Sequence, residues 1–233
     1  MMKRTSRAVG QLIAIFIVLI ANVKAQDRPA AYPNLVPLDQ YLMADRDAEI
    51  ALARSAAPEA ISRDAKVVVL GKRGYETAVE GKNGWVCIVE RGWTAPFDAP
   101  EFWNPKIRGA ICFNPPAVRF VLPVTYKRAE MVLAGLSKAE MIKQLTAAYA
   151  RKELPAYEPG GMCYMMSKQA YLTDQGDHNL AHLMFYEPPA ADWGADLPNS
   201  PVMLGIKSSA AIPFTEFIVP VGVWSDGTAA PVR

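Results

Sequence analysis

Hydrophobic and polar positions along this chain follow two rhythms, and each predicts its own elements. Between Ser137 and Leu154, Met141, Ile142, Leu145, Ala148 and Tyr149 recur at the three-and-four spacing of one buried helical face. Ser137 with Glu140 makes a capping-box start, and Pro155 with Gly160 and Gly161 makes a stop. A second helix is expected over "DRDAEIALARSA", with Asp45 or Asp47 near its N-cap and Pro58 ending it. A third starts after the cap Asn114 in "PPAVRFVL", where proline is tolerated in the first turn; Pro123 is expected to interrupt it.

Elsewhere the rhythm is that of strands. "KVVVL", "YETAVE" and "WVCIVE" are separated by "GKRG" and "GKNG", which suit tight turns, so these segments are expected to form an antiparallel meander. The middle one sets Tyr75, Thr77 and Val79 against Glu76, Ala78 and Glu80. Further strands are expected in "AICF", "MCYMM", "HLMFY" and "EFIVPVGVW", with the proline-rich stretch from Pro188 to Pro213 mostly loop. Strands and helices do not alternate regularly and no repeat marks a second unit. The expected architecture is therefore α+β: a single domain over residues 41–233, mainly antiparallel sheet, with an N-terminal meander and inserted helices.

The ends change this picture. Lys3, Arg4 and Arg7 precede an apolar run from Leu12 to Ala21, and "VKA" ends at Ala25, the pattern of a signal peptide over residues 1–25. Asn22, Lys24 and Gln26 cut the run below the length of a membrane span. No cysteine follows for lipidation, and no twin-arginine pair precedes it. No transmembrane anchor is expected after cleavage, and the protein is expected to be secreted or periplasmic. Residues 26–40, with Pro29, Pro33 and Pro37, read as an extended tether.

Charge follows from that cut. The whole chain carries 25 basic and 23 acidic residues. Removing Lys3, Arg4, Arg7 and Lys24 leaves 21 basic ones and a net charge of −2. With no lysine–arginine run and no basic stripe among stacking aromatics, nucleic-acid binding is disfavoured. Three cysteines remain, and in an oxidising compartment Cys87 and Cys112 are the preferred pair, each in a short apolar strand. The alternative is that all three are small buried hydrophobes.

Candidate chemistry is sparse. The only histidines, His178 and His182, stand in "DHNLAHLMFYEP". On a helix they would share a face and could share a metal, but the "HExxH" pattern is absent, with Asn179 where the glutamate would stand. On a strand their Cα atoms would lie about 13 Å apart, too far for one ion. No metal or cofactor is therefore expected; His178 is expected in a turn and His182 at the start of a strand. Cys163 with His182 could form a thiol–imidazole pair if their strands adjoin, although the flanking Met162, Tyr164, Met165 and Met166 favour a packed core strand instead. "GKRG" lacks the first glycine of a phosphate loop and precedes a strand, no G-x-S-x-G elbow exists, and paired carboxylates stay open because sequence spacing does not fix their separation. The loop "RGWTAPFDAPEFWNPKIRG" carries Trp93, Phe97, Phe102 and Trp103 as a candidate ligand platform, or else as a lid tucked over one sheet face.

Taken together, "YETAVEGKNGWVCIVER", "FWNPKIRGAICFN", "GMCYMMSKQAYL", "HLMFYEP" and "VPVGVWSDGT" resemble an uncharacterised family of secreted bacterial proteins. The resemblance covers most of the chain beyond the tether and implies export; it transfers no activity, cofactor or site residue. Two readings follow. One is an exported protein that binds a small molecule or a protein partner at the cell envelope. The other is an envelope enzyme, hydrolase-like, using His182 with Cys163 or nearby carboxylates.

Overall fold

Eight strands join in one sheet, and period-two alternation sends their side chains to two separate cores. The computed structural model describes residues 32–195 and 197–231; the expected signal segment and the first part of the expected tether lie outside the described residues. The strands are β1 (Lys66–Gly71), β2 (Gly74–Val79), β3 (Val86–Glu90), β4 (Gly109–Phe113), β5 (Met162–Met165), β6 (His182–Glu187), β7 (Met203–Ile206) and β8 (Thr215–Pro220). Their order across the sheet is β2-β1-β3-β4-β5-β6-β8-β7. Every pairing is antiparallel except β1 with β3. The α+β expectation thus holds, while the meander does not.

The reason lies in "GKNG". Instead of closing a hairpin, this loop crosses the start of β1 and delivers β3 to its far side, where Lys66 lies beside Val86 in a parallel pair. Lys82 N donates to Asp64 O at 2.8 Å and Lys66 N to Trp85 O at 2.9 Å. The crossing is so close that a Cβ on Gly81 would sit 2.2 Å from Lys66 N, so the glycine serves backbone approach.

Four α-helices are described. Asp45 caps α1 (Arg46–Arg54) by accepting from Asp47 N and Ala48 N. The helix ends at Arg54, ahead of the expected stop at Pro58, which instead opens a single turn, α2 (Glu59–Ser62). The capping box of Ser137 and Glu140 is present at the start of α4 (Lys138–Ala150). The third helix departs from expectation: α3 (Pro115–Leu133) runs through Pro123 without stopping. A mid-helix proline forfeits one backbone bond and costs about 3 kcal/mol. Phe120, Val121, Leu122 and Val124, buried on either side of it, offset that cost by packing on the sheet.

The sheet is covered on both sides. Val67, Val69, Cys87, Val89, Ala110 and Cys112 pack with Leu52, Ala53 and Ala56 of and beyond α1. The alternate positions Val68, Val86, Ile88, Ile111 and Phe113 pack with Ala117, Phe120 and Val121 of α3. On the α1 side, Cys87 and Cys112 face each other across β3 and β4 and are joined in a disulfide. In the chain-entropy picture, closing 25 residues contributes about 3.5 kcal/mol. The segment expected as a tether is packed from Tyr32 onward: Leu35, Val36 and Leu38 lie against a third cluster, and Tyr41 is fully buried with its hydroxyl donating to Trp103 O at 2.8 Å.

Candidate functional site

Helix α3 lies over β2, β4 and β5, and the sheet continues past it through β6, β8 and β7. On this side, between helix and sheet, opens a cavity of about 440 Å³. Register explains its floor. Glu90 follows Val86 and Ile88 at two-residue steps and therefore shares their α3-facing side. Met184 and Tyr186 lie on that side in β6, where Tyr186 pairs with Glu216 and Met184 with Ile218 of β8. His182 is the next residue in phase, opposite Met165 of β5. Val121, Val124, Thr125 and Arg128 of α3 form the roof. The rim is loop: Glu101 accepts from the Thr173 hydroxyl at 2.9 Å, tying the two rim segments together.

Two glycines make the room. Gly109 stands directly opposite Glu90, and a Cβ there would lie 3.2 Å from Met165 Cε and 3.5 Å from Glu90 Cβ. Gly205 stands at a register shift in β7, where a Cβ would come within 2.4 Å of Glu216 Oε1. The carboxylate of Glu216 therefore lies against bare backbone.

The walls are apolar and the charges few. Glu90 and Glu216 both line the cavity, and desolvation moves their carboxyls up to about 7 and about 8; for Glu216 the charge of Glu90 adds to the rise, and Arg128 opposes it in both. Arg128 is only 3 % exposed, and burial brings its guanidinium down to about 10. One of its nitrogens donates to Ala95 O, its plane lies 4.5 Å from the Phe97 ring centroid, and its Nε has no partner. Among the described residues, none of Glu90, Glu216 and Arg128 belongs to an ion pair. Buried charge is normally paired. Arg91, the residue after Glu90, shows the contrast: it is fully buried on the opposite side, bonded to Glu49, Tyr41 O and Val89 O.

The residues singled out in the sequence fare differently. His182 begins β6, as expected, and lines the cavity. Its Nδ1 lies 2.7 Å from Leu180 O, which fixes the neutral tautomer with Nδ1–H donating and leaves Nε2 as an acceptor; burial lowers its basicity. His178 sits in a turn at φ 64°, stacked on Tyr171. Cys163 lies on the strand next to His182 but opposite Met184, so the two are diagonal neighbours, about 7–8 Å apart in the usual geometry. Its sulfur instead accepts from the Tyr186 hydroxyl at 3.6 Å, and desolvation pushes the thiol well up, away from thiolate. The structure does not bring Cys163 and His182 together as a pair.

Trp93, Phe102 and Trp103 do not form an exposed platform: they are buried at 0 %, 0 % and 4 % exposure, and Phe97 is partly buried. Trp93 packs on Tyr41, Phe97 stacks on Phe102, and Phe102 meets Trp103 edge-on. The loop fills the core beside α3, and its phenylalanines shield Arg128. Among the described residues no cluster of three or more histidine, cysteine or acidic side chains is placed to hold a metal ion.

The sequence reading missed Glu90, Arg128 and Glu216 as individual residues. A signal existed for the two glutamates, since each is a charged residue in phase with inward-facing positions of an apolar strand, "WVCIVE" and "TEFIVP". Comparison with protein-family models, with curated proteins and with solved structures finds no match.

Proposed function

We propose that this is an exported protein of the bacterial cell envelope that binds a small, largely apolar molecule in the cavity between α3 and the sheet. The carrying observation is the cavity itself: about 440 Å³, walled by aliphatic, methionine and aromatic side chains, with a few charged groups converging on it. The disulfide fits an oxidising compartment. No described helix is long and apolar enough to cross a membrane.

Methionine methyl resonances test this reading, because Met165, Met184 and Met203 line the cavity. With ¹³C-methyl methionine and assignment by single Met→Leu replacements, 1-octanol is expected to shift these three selectively and saturably. Unchanged spectra, or equal shifts at Met141, buried in the separate cluster under α4, would sink the proposal.

The carboxyls of raised pKa and the free Nε2 of His182 favour a second reading, acid–base catalysis by an envelope enzyme. In that case His182→Ala abolishes turnover while 1-octanol still shifts the cavity methionines; retained turnover in the variant excludes His182 as its base.

A further inference from the structure

The cavity is lined by more carboxyl groups than free cationic partners, and that excess points to a ligand class. Three carboxyl groups line it: Glu90 from β3, Glu216 from β8 and Glu101 at the rim. The charged basic residues lining it are Arg91 and Arg128, and Arg91 spends its charge on Glu49 across the sheet. His182 from β6 is neutral, its Nδ1–H already committed to Leu180 O. Tyr186, also from β6, gives its hydroxyl to Cys163 of β5. One guanidinium thus faces two inner carboxyls, and none of the three is ion-paired within the described residues. With both carboxyls ionised, the inner site lacks one positive charge.

An anionic ligand would have to use Arg128, whose Nε is unpartnered but whose charge already acts on Glu90 and Glu216. Arg128 donates to Ala95 O and is covered by Phe97 at 4.5 Å and Phe102 at 5.5 Å. An anion would also enter beside three carboxyl groups. A cation meets the opposite conditions: acceptors with unspent lone pairs, a Glu101 at the mouth that attracts it, and the aromatic rings of Tyr186 and Phe214 in the lining. Resting on the cavity-binding reading above, we propose that the ligand is a small amine with an apolar body, its ammonium held by Glu90 and Glu216 and its hydrocarbon part along the methionine and isoleucine wall.

Such a ligand should displace protons. Between them the two carboxyls hold about one proton at pH 7.5, so an arriving ammonium favours their ionised forms and releases up to one proton to solvent. Calorimetric titration of the full chain at pH 7.5 with octylamine, 1-octanol and octanoate, in phosphate and in Tris, separates the possibilities. Octylamine is expected to bind at least about tenfold more tightly than 1-octanol, the worth of one charge-assisted contact, with a buffer-dependent heat that reports proton release. The Glu90→Gln/Glu216→Gln double variant should bring the two affinities together and abolish the buffer dependence. Octanoate binding more tightly than octylamine, or octylamine and 1-octanol binding alike, would overturn the amine assignment and leave an apolar cavity standing. Binding by none of the three would remove both.

Discussion

Replacing Glu49 with alanine is expected to cost about 3–5 kcal/mol of folding stability, the usual penalty for leaving one member of a buried ion pair alone. Glu49 is 2 % exposed and Arg91 fully buried, with 2.8 Å between Oε1 and Nη2. The same Oε1 accepts from Leu70 N at 3.2 Å, so one carboxylate fastens α1 both to β1 and to the end of β3. Removing it strands the guanidinium against Tyr41 O and Val89 O, with no anion to offset its desolvation. Urea denaturation of the oxidised protein at pH 7 reads the loss as a fall in midpoint at constant slope. A drop below about 1 kcal/mol would mean that Arg91 reaches water or another acceptor in the variant, and that the pair does not anchor α1. Arg91→Met together with Glu49→Leu should recover much of the loss, since apolar replacement of both partners is often neutral.

That anchor shows what was and was not legible beforehand. Local signals worked where local physics decides: Asp45 and Ser137 cap their helices, and short apolar runs, with alternation in β2, located all the described strands except β7. Strand β7 hides in "PVMLGI", where flanking prolines and Gly205 read as loop, and only pairing with β8 makes it a strand. Pro123 was misleading for the same reason, since packing overrode a local preference. The meander failed because turn residues record where the backbone bends and not which edge the next strand joins. The pairing of Cys87 with Cys112 was legible because both lie in phase on neighbouring apolar strands. Pairing Cys163 with His182 went wrong by a two-residue offset, which no spacing in sequence reveals. The aromatic loop drew attention through its exposed-looking composition, yet its rings are core. The residues that carry the cavity's charge are ordinary Glu and Arg, distinguishable only by the face on which the fold places them.

That placement makes stability depend on pH in a defined direction. The folded-state carboxyls of Glu90 and Glu216 rise from an ordinary 4.5 to about 7 and about 8, chiefly through desolvation. Between those values the folded chain holds protons that the unfolded chain has released, so stability must fall as pH rises, by about 1.4 kcal/mol per unit for each group still protonated only in the fold. His182 acts in the other direction at lower pH: its lowered basicity costs stability as pH drops below its ordinary 6.5. The interval from about pH 6.5 to 8 therefore isolates the carboxyls. Over it the wild-type urea midpoint is expected to decline, whereas that of Glu90→Gln/Glu216→Gln stays nearly flat. At pH 5 the gap should be smaller than at pH 8, because the folded positions are neutral in both proteins and the unfolded glutamates are only about half a unit past their ordinary 4.5. By pH 8 the variant should be the more stable by something on the order of 4 kcal/mol; less than the simple sum of the two shifts, because the charge of Glu90 is itself part of the rise at Glu216 and the contributions are not additive. His182 is common to both proteins and cancels in the difference. A wild-type midpoint that rises from pH 6.5 to 8, or a variant that declines in parallel, would show the two carboxyls ionised at ordinary pH and well solvated. The cavity would then hold no reserve of protons for an arriving cation to displace. A decline confined to the wild type and reversed by saturating octylamine would tie the same two groups to stability and to ligand at once.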